Sequence, residues 1–195
     1  MTPDPTPIYH ITPVDNLAGI IAAGGLWATN QLRHQEVTHV SIAYEDIQDR
    51  RARKRVPCGP GGNLHDYVPF YFAPRSPMLC AIYYGRVPNC PSDQTAIVHL
   101  VSTAQAVRDA GLSYAFTDGH GAMAFTAFFD DLAQLDGIDW DVMRSRYWND
   151  TDEFPDRKRR RQAEFLIHEF MPWGLIGEIG VCTAAAKAKV EEVLG

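Results

Sequence analysis

The segments of this chain that can become strands are short and unevenly spaced, and that limits its fold more than any other feature. Runs rich in β-branched and aromatic residues stand at 8–12, 67–72, 96–101, 114–117, 162–168 and 176–181. Helical patterns fall between them at unequal lengths. One covers 15–24, opened by Asp15 as cap and stopped by Gly24-Gly25. A charged one covers 43–55, with Ile47 as its main apolar anchor, and another runs from Ser76-Pro77 to Gly85. The rest are 103–110, an aromatic-rich stretch at 123–148, and 184–194. No regular strand–helix–strand rhythm emerges. The pattern predicts an α+β (mixed α/β) sheet core flanked by helices, not a doubly wound parallel fold. Pro69 predicts that strand 67–72 lies at a sheet edge or a bulge. At 195 residues the chain is expected to be a single domain, 1–195.

Charge is distributed as unevenly as structure. Of 18 basic residues, ten lie in two runs, Arg50-Arg51-Ala52-Arg53-Lys54-Arg55 and Arg157-Lys158-Arg159-Arg160-Arg161, leaving eight against 24 carboxylates elsewhere. Cations gathered at two points of an acidic body predict local anion sites. No apolar run approaches a membrane span, and the N-terminus lacks the basic and apolar regions of a secretion signal, so a cytoplasmic protein away from membranes is expected. The cysteines, Cys58, Cys80, Cys90 and Cys182, have no CxxC spacing, so no zinc site and no disulfide are expected.

The strand after the second basic run carries the sharpest chemical signal. In 162–168, alternation puts Ala163, Phe165 and Ile167 on one face and Gln162, Glu164, Leu166 and His168 on the other. A carboxylate in such a strand needs a partner or a task, so Glu164 is either a salt-bridged residue or a catalytic one. Arg51 follows Ile47 by one helical turn and turns inward with it, whereas Arg50, Arg53, Lys54 and Arg55 fit a solvated face. His10 beside Thr12 fits either a hydrogen-bonded core residue or a ligand contact. Tyr71 can pack in the core or stack on a flat ligand. The loop Asp118-Gly119-His120-Gly121 follows a strand end, where functional groups gather. No GxGxxG, GK[ST], HExxH or GxSxG is present, which argues against Rossmann dehydrogenases, P-loop enzymes, zincins and α/β-hydrolases.

Several segments together resemble one family. They are Ile8-Tyr9-His10-Ile11-Thr12, Gln48-Asp49-Arg50-Arg51-Ala52-Arg53 with Val56-Pro57, Gly61-Gly62-Asn63-Leu64-His65-Asp66-Tyr67-Val68-Pro69-Phe70-Tyr71-Phe72, Pro74-Arg75-Ser76-Pro77-Met78-Leu79, Phe116-Thr117-Asp118-Gly119-His120, and Gln162-Ala163-Glu164-Phe165-Leu166. Their order and spacing resemble the DarT family of DNA ADP-ribosyltransferases, the toxins of DarT–DarG toxin–antitoxin systems, over nearly the whole chain. Cys80 departs from the tyrosine usual there.

The resemblance implies an ADP-ribosyltransferase fold related to the poly(ADP-ribose) polymerase core, with a split mixed or antiparallel sheet. It implies NAD+ as co-substrate, a base of single-stranded DNA (most often thymine, in a short motif) as acceptor, and a macrodomain antitoxin of the DarG kind as partner. It assigns Glu164 as the catalytic glutamate and Arg51 as the essential arginine. His10, Ile11, Thr12, Gly19, Trp27, Tyr71 and Met78 match NAD+-pocket positions, with Arg51 beside them. His120 lies near the nicotinamide or the acceptor base, and either Arg51 or His120 takes the acceptor proton. For DNA, the expected contacts are Arg75, stacking on Tyr147 and Trp148, and a phosphate grip by Arg157, Arg159, Arg160 and Arg161. The region 117–163 is expected to present the acceptor, and a monomer without metal is expected. Two readings compete: a transferase acting on RNA or protein, and a non-catalytic nucleic-acid-binding module.

Overall fold

In the computed structural model, residues 1–35, 40–87 and 93–195 are described; Cys90 lies outside them. Seven strands form one antiparallel sheet in the order β6-β5-β7-β3-β1-β4-β9, and β2 and β8 form a small second sheet. The strands are β1 Pro7–Pro13, β2 Gly25–Trp27, β3 Tyr67–Tyr71, β4 Ile97–Thr103, β5 Tyr114–Thr117, β6 Phe128–Phe129, β7 Glu164–His168, β8 Phe170–Pro172 and β9 Glu178–Gly180. The helices are α1 Leu17–Ala22, α2 Thr29–His34, α3 Glu45–Arg53, α4 Pro77–Tyr83, α5 Ala104–Asp109, α6 Trp140–Arg144, α7 Arg157–Arg160 and α8 Ala184–Leu194. The mixed class with helices flanking an antiparallel sheet is as the irregular spacing predicted.

The sheet is split between β1 and β3. These strands share a single registered pair, Tyr9↔Tyr71, while β1 pairs with β4 from Pro7↔Thr103 to Pro13↔Ile97. Pro69 accounts for much of this. Its carbonyl accepts a hydrogen bond from His10 Nδ1 at 2.8 Å and so points toward β1. In a strand a residue's amide and carbonyl point to the same side, so the missing N–H of Pro69 also faces β1, where the ladder opens. On its other edge β3 pairs fully with β7, from Tyr67↔His168 to Tyr71↔Glu164. The expected edge position is therefore corrected: β3 is interior, and its proline sits at the split.

Sequence and structure also differ in two helical readings. The stretch 123–148 was expected to be a helix; it holds only β6, a 3₁₀ turn at Leu132–Gly137 and the short α6. Asp131 and Asp139 each accept a backbone N–H two or three residues on, which restarts the chain in new turns. At 15–24 the helix begins only at Leu17, and Asp15 belongs to a preceding 3₁₀ turn without capping. Elsewhere the local rules hold. Ser76 Oγ accepts from Leu79 N with Pro77 in the first turn of α4, and Thr103 and Thr183 cap α5 and α8.

The main core gathers Ile8, Leu17, Val68, Phe70, Phe72, Leu100, Phe116 and Phe165 on one side of the sheet. A smaller cluster of Val56, Leu64, Tyr67, Ala115 and Leu166 covers the other face of β7. Both faces of that strand are thus buried, and its first residue opens into the split. The β2–β8 ribbon closes one wall. Gly25 there has φ 154°, and a Cβ on it would run into the Met171 carbonyl oxygen. We expect Gly25→Ala to destabilise the fold by roughly 3 kcal/mol or more in urea denaturation, since backbone would have to move.

Candidate active site

The split in the sheet opens into a cavity of about 870 Å³. β1 contributes His10, Ile11 and Thr12, α1 contributes Gly19, β2 contributes Trp27, α3 contributes Gln48 and Arg51, β3 contributes Tyr71, α4 contributes Met78, and β7 contributes Glu164. His120 lines it from the loop after β5. The residues that the resemblance assigned to NAD+ and to catalysis therefore share one hollow.

Glu164 is 4% exposed and Arg51 8% exposed. Arg51 Nη1 donates to both carboxylate oxygens, at 2.7 Å and 3.0 Å. Gly121 N donates to Oε1 at 3.0 Å, and His120 Nδ1 lies 3.7 Å from the same oxygen. Burial pushes the Glu164 pKa up, but Arg51 and the Gly121 N–H outweigh it and hold the carboxyl below its ordinary value. The site thus holds an ionised carboxylate inside a largely apolar wall. Arg51 Nη2 is buried without a hydrogen-bond partner among the described residues.

The surrounding backbone fixes this pair. Glu164 N donates to Thr117 Oγ1 at 3.0 Å, and that hydroxyl donates to the Gly119 carbonyl at 2.7 Å. The loop is thereby tied to the strand that carries the carboxylate. A side chain at Gly121 would be crowded, because a Cβ would stand 3.2 Å from Glu164 Oε1 and 3.3 Å from Leu64.

The histidines are held neutral. Burial lowers the pKa of His120 despite Glu164, with Arg51 and Arg50 lowering it further. Burial also lowers His10, whose Nδ1–H is spent on Pro69 O. Burial, Arg33 and Arg51 bring His65 down to about 4. Burial, with Glu164 nearby, raises the Tyr71 phenol, so it remains a hydroxyl.

The second basic run is largely paired within the fold. Arg159 makes ion pairs with Asp118 (3.0 Å) and Asp156 (2.8 Å), and Arg160 pairs with Asp139 (3.0 Å) and Asp156 (3.2 Å). Arg161 is 3% exposed and donates to the carbonyls of Arg75, Val142, Met143 and Ser145. Arg157 donates to Ser145 Oγ and to the Tyr147 carbonyl. These guanidinia are engaged within the protein, where they brace the segment 139–161. Of that run only Lys158 lines the cavity, with Gln162 beside it; sequence reasoning named neither as a site residue. Arg75, Tyr147 and Trp148 also stand outside the lining. Tyr147 is 67% exposed beneath Arg146, Trp148 lies against Arg161, and Arg75 is exposed.

Glu164 is buried with Arg51 as its partner, and its removal would strand Arg51. Gln48 and Asn16 also line the cavity. Gln48 lies three residues before Arg51 on the same helix, which is the spacing that could have revealed it.

Comparison with known proteins places this geometry. A family model described as "ssDNA thymidine ADP-ribosyltransferase, DarT" matches residues 9–195. The chain belongs to the DarT family. A DNA ADP-ribosyl transferase of Thermus sp. (strain 2.9) is 49% identical over 192 residues, which is 98% of this chain and 88% of that protein. The structure of Thermus sp. 2.9 DarT in complex with ADP-ribosylated ssDNA superposes with a TM-score of 0.92 at 48% identity, covering 100% of this chain and 90% of that one. The same protein in complex with NAD+ gives 0.89 at 45% identity, with the same coverage. A Thermosipho africanus protein that fuses a DNA ADP-ribosyl transferase to a DNA ADP-ribosyl glycohydrolase is 27% identical over 165 residues, 82% of this chain and 38% of that protein. The fold is accordingly that of an ADP-ribosyltransferase. Among the described residues, no helix is long and apolar enough to cross a membrane and no cluster of three metal-ligating side chains occurs.

Two outcomes follow from this geometry. Arg161→Ala should cost about 2–4 kcal/mol in denaturant titrations, because buried carbonyls lose a charged donor; a cost under 0.5 kcal/mol would show the run to be solvated. The three histidines bind protons less readily when folded than near pH 6.5 when unfolded. Stability therefore rises with pH through that window, and the melting temperature should fall as pH drops from 7 to 5.

Proposed function

We propose that the cavity binds NAD+ and that Glu164, Arg51 and His120 transfer its ADP-ribose to a thymine ring nitrogen in single-stranded DNA, within a short sequence motif. The observation that carries the reading is the buried, ionised Glu164 carboxylate facing an 870 Å³ hollow beside Arg51.

In the reaction, the bond between nicotinamide nitrogen and ribose C1′ breaks, and nicotinamide leaves with the electron pair. The ribose becomes oxocarbenium-like. Glu164 holds a ribose hydroxyl and sets its charge against the developing cation, a term worth several kcal/mol in a dry site. The thymine nitrogen bonds C1′ from the opposite side and loses its proton. That proton leaves on the side of Arg51 and His120. His120 is neutral and has a lone pair on Nδ1, shared with Ala122 N–H at 3.2 Å. Arg51 has no lone pair while charged, and it stabilises the ring as negative charge forms. The chemistry requires no metal.

His10, Ile11, Thr12, Gly19, Trp27, Tyr71 and Met78 serve as the NAD+ walls. The 117–163 region presents the DNA, with Lys158 and Gln162 at the cavity replacing the arginines as nearest contacts, and Arg75, Tyr147 and Trp148 on the strand's path beyond it. The enzyme of this reading works as a monomer, in the cytoplasm. Its partner is a macrodomain antitoxin that removes the modification, an activity the Thermosipho relative's name joins to the transferase in one polypeptide.

Glu164→Gln should keep the fold and lower transfer by at least about 100-fold, read by mass on a thymine-containing oligonucleotide. Glu164→Ala should in addition destabilise the protein by about 3–5 kcal/mol, because Arg51 is left buried and unpaired. Normal turnover by Glu164→Gln would remove the carboxylate from the mechanism. Labelling of RNA or protein in place of DNA would favour the alternative acceptors.

A further inference from the structure

Behind Arg51 lies a hydrogen-bonded chain that the mechanism above does not use. His65 is 1% exposed. Its Nε2 lies 3.0 Å from Gln48 Oε1, and its Nδ1 lies 3.4 Å from Arg33 Nη1. A guanidinium can only donate, so Nδ1 must be the bare nitrogen and Nε2 must carry the proton. An Nε2–H can only donate to Gln48, so the oxygen of that amide faces His65 and its NH₂ faces away. The opposite arrangement would set the ring's N–H against Arg33. Gln48 lines the cavity, and among the described residues its side chain makes only the hydrogen bond to His65. It stands one helical turn from Arg51, whose buried Nη2 has no partner among them.

We propose that Arg33 and His65 are positioning residues that hold Gln48 with its amide N–H₂ turned into the cavity, where it donates to a carbonyl or phosphoryl oxygen of a substrate. The inference rests on the cavity being the NAD+ and acceptor site. The oxygen belongs either to NAD+ (its carboxamide or diphosphate) or to the thymine ring. The relay holds the amide in one orientation without touching the substrate through His65. The 310 turn that carries His65 is itself pinned, since Asn63 N donates to Asp66 Oδ2 at 2.7 Å and Asn30 Nδ2 donates to Asp66 Oδ1 at 2.6 Å. The charged groups around the ring are Arg33 and Arg51, which oppose its protonation, and Asp66 and Asp49, which favour it. Protonation would turn Nδ1 into a donor facing Arg33 and break the chain.

Arg33 is exposed, so Arg33→Met tests the relay without opening the core. Imidazole ¹⁵N shifts of His65 in the full chain at pH 7 should report the Nε2–H tautomer, and Arg33→Met should populate the Nδ1–H form and raise the pH at which the ring protonates. A wild-type Nδ1–H tautomer, or no change in Arg33→Met, overturns the relay irrespective of any catalytic result. Gln48→Glu, which has no N–H to offer, should weaken substrate use about tenfold or more with the melting temperature held. Calorimetry with NAD+ alone and KM for the oligonucleotide separate the two sources. A loss in NAD+ affinity places the oxygen on the dinucleotide, and a loss confined to oligonucleotide KM places it on the base. Neither loss overturns the donor role of Gln48. Failure of the parent reading is distinct, because it would appear as no NAD+ binding by the wild-type protein.

Discussion

A carboxylate and a guanidinium buried against each other, 2.7 Å apart, organise the rest of this molecule. Each ion would cost several kcal/mol to bury alone, and together they remain costly unless every remaining lone pair is met. Gly121 N–H and the second Arg51–Glu164 hydrogen bond meet the carboxylate. The guanidinium is met only in part, because Nη2 has no partner among the described residues. The fold therefore keeps a buried charged donor unsatisfied beside the cavity. An interior designed for stability alone would have replaced such a pair with hydrocarbon.

The pair depends on two accidents of local chemistry that act in concert. Pro69 deprives β3 of an amide on the side of β1, so the sheet parts where the cavity forms, and His10 covers the orphaned carbonyl. Glycine at 121 lets the loop after β5 approach until its backbone N–H reaches Glu164. Arginines of the second basic run brace this region, Arg159 at the start of the loop through Asp118 and Arg161 through the 142–145 carbonyls. Cations that sequence reading assigned to DNA also hold the loop that carries His120. The catalytic hollow and its rigid frame are thus built from different halves of one charge pattern.

Much of the site was legible in the chain. Alternation put Glu164 on β7 apart from the Phe165–Ile167 face, and helical spacing turned Arg51 inward with Ile47. The strand at Tyr114–Thr117 and the cap at Ser76-Pro77 followed from local propensity alone. What could not be read was pairing across the sheet. A run of arginines looks the same whether solvent or Asp118, Asp139 and Asp156 face it, because those partners lie 3 to 41 residues away along the chain. The 123–148 stretch was misread because its aromatic residues recur at helical intervals, while Asp131 and Asp139 restart the backbone. Gln48 escaped notice because its meaning comes from His65, seventeen residues on.

The central claim is that Arg51 and Glu164 act on the reaction as one unit and not as two independent aids to folding. A double-mutant cycle on single-turnover ADP-ribose transfer to a thymine-containing oligonucleotide, with Arg51→Gln, Glu164→Gln and the two combined, measures that coupling directly. The account predicts that the double variant is little worse than the poorer single one. Losses that simply multiply would show the two side chains acting separately and would contradict it.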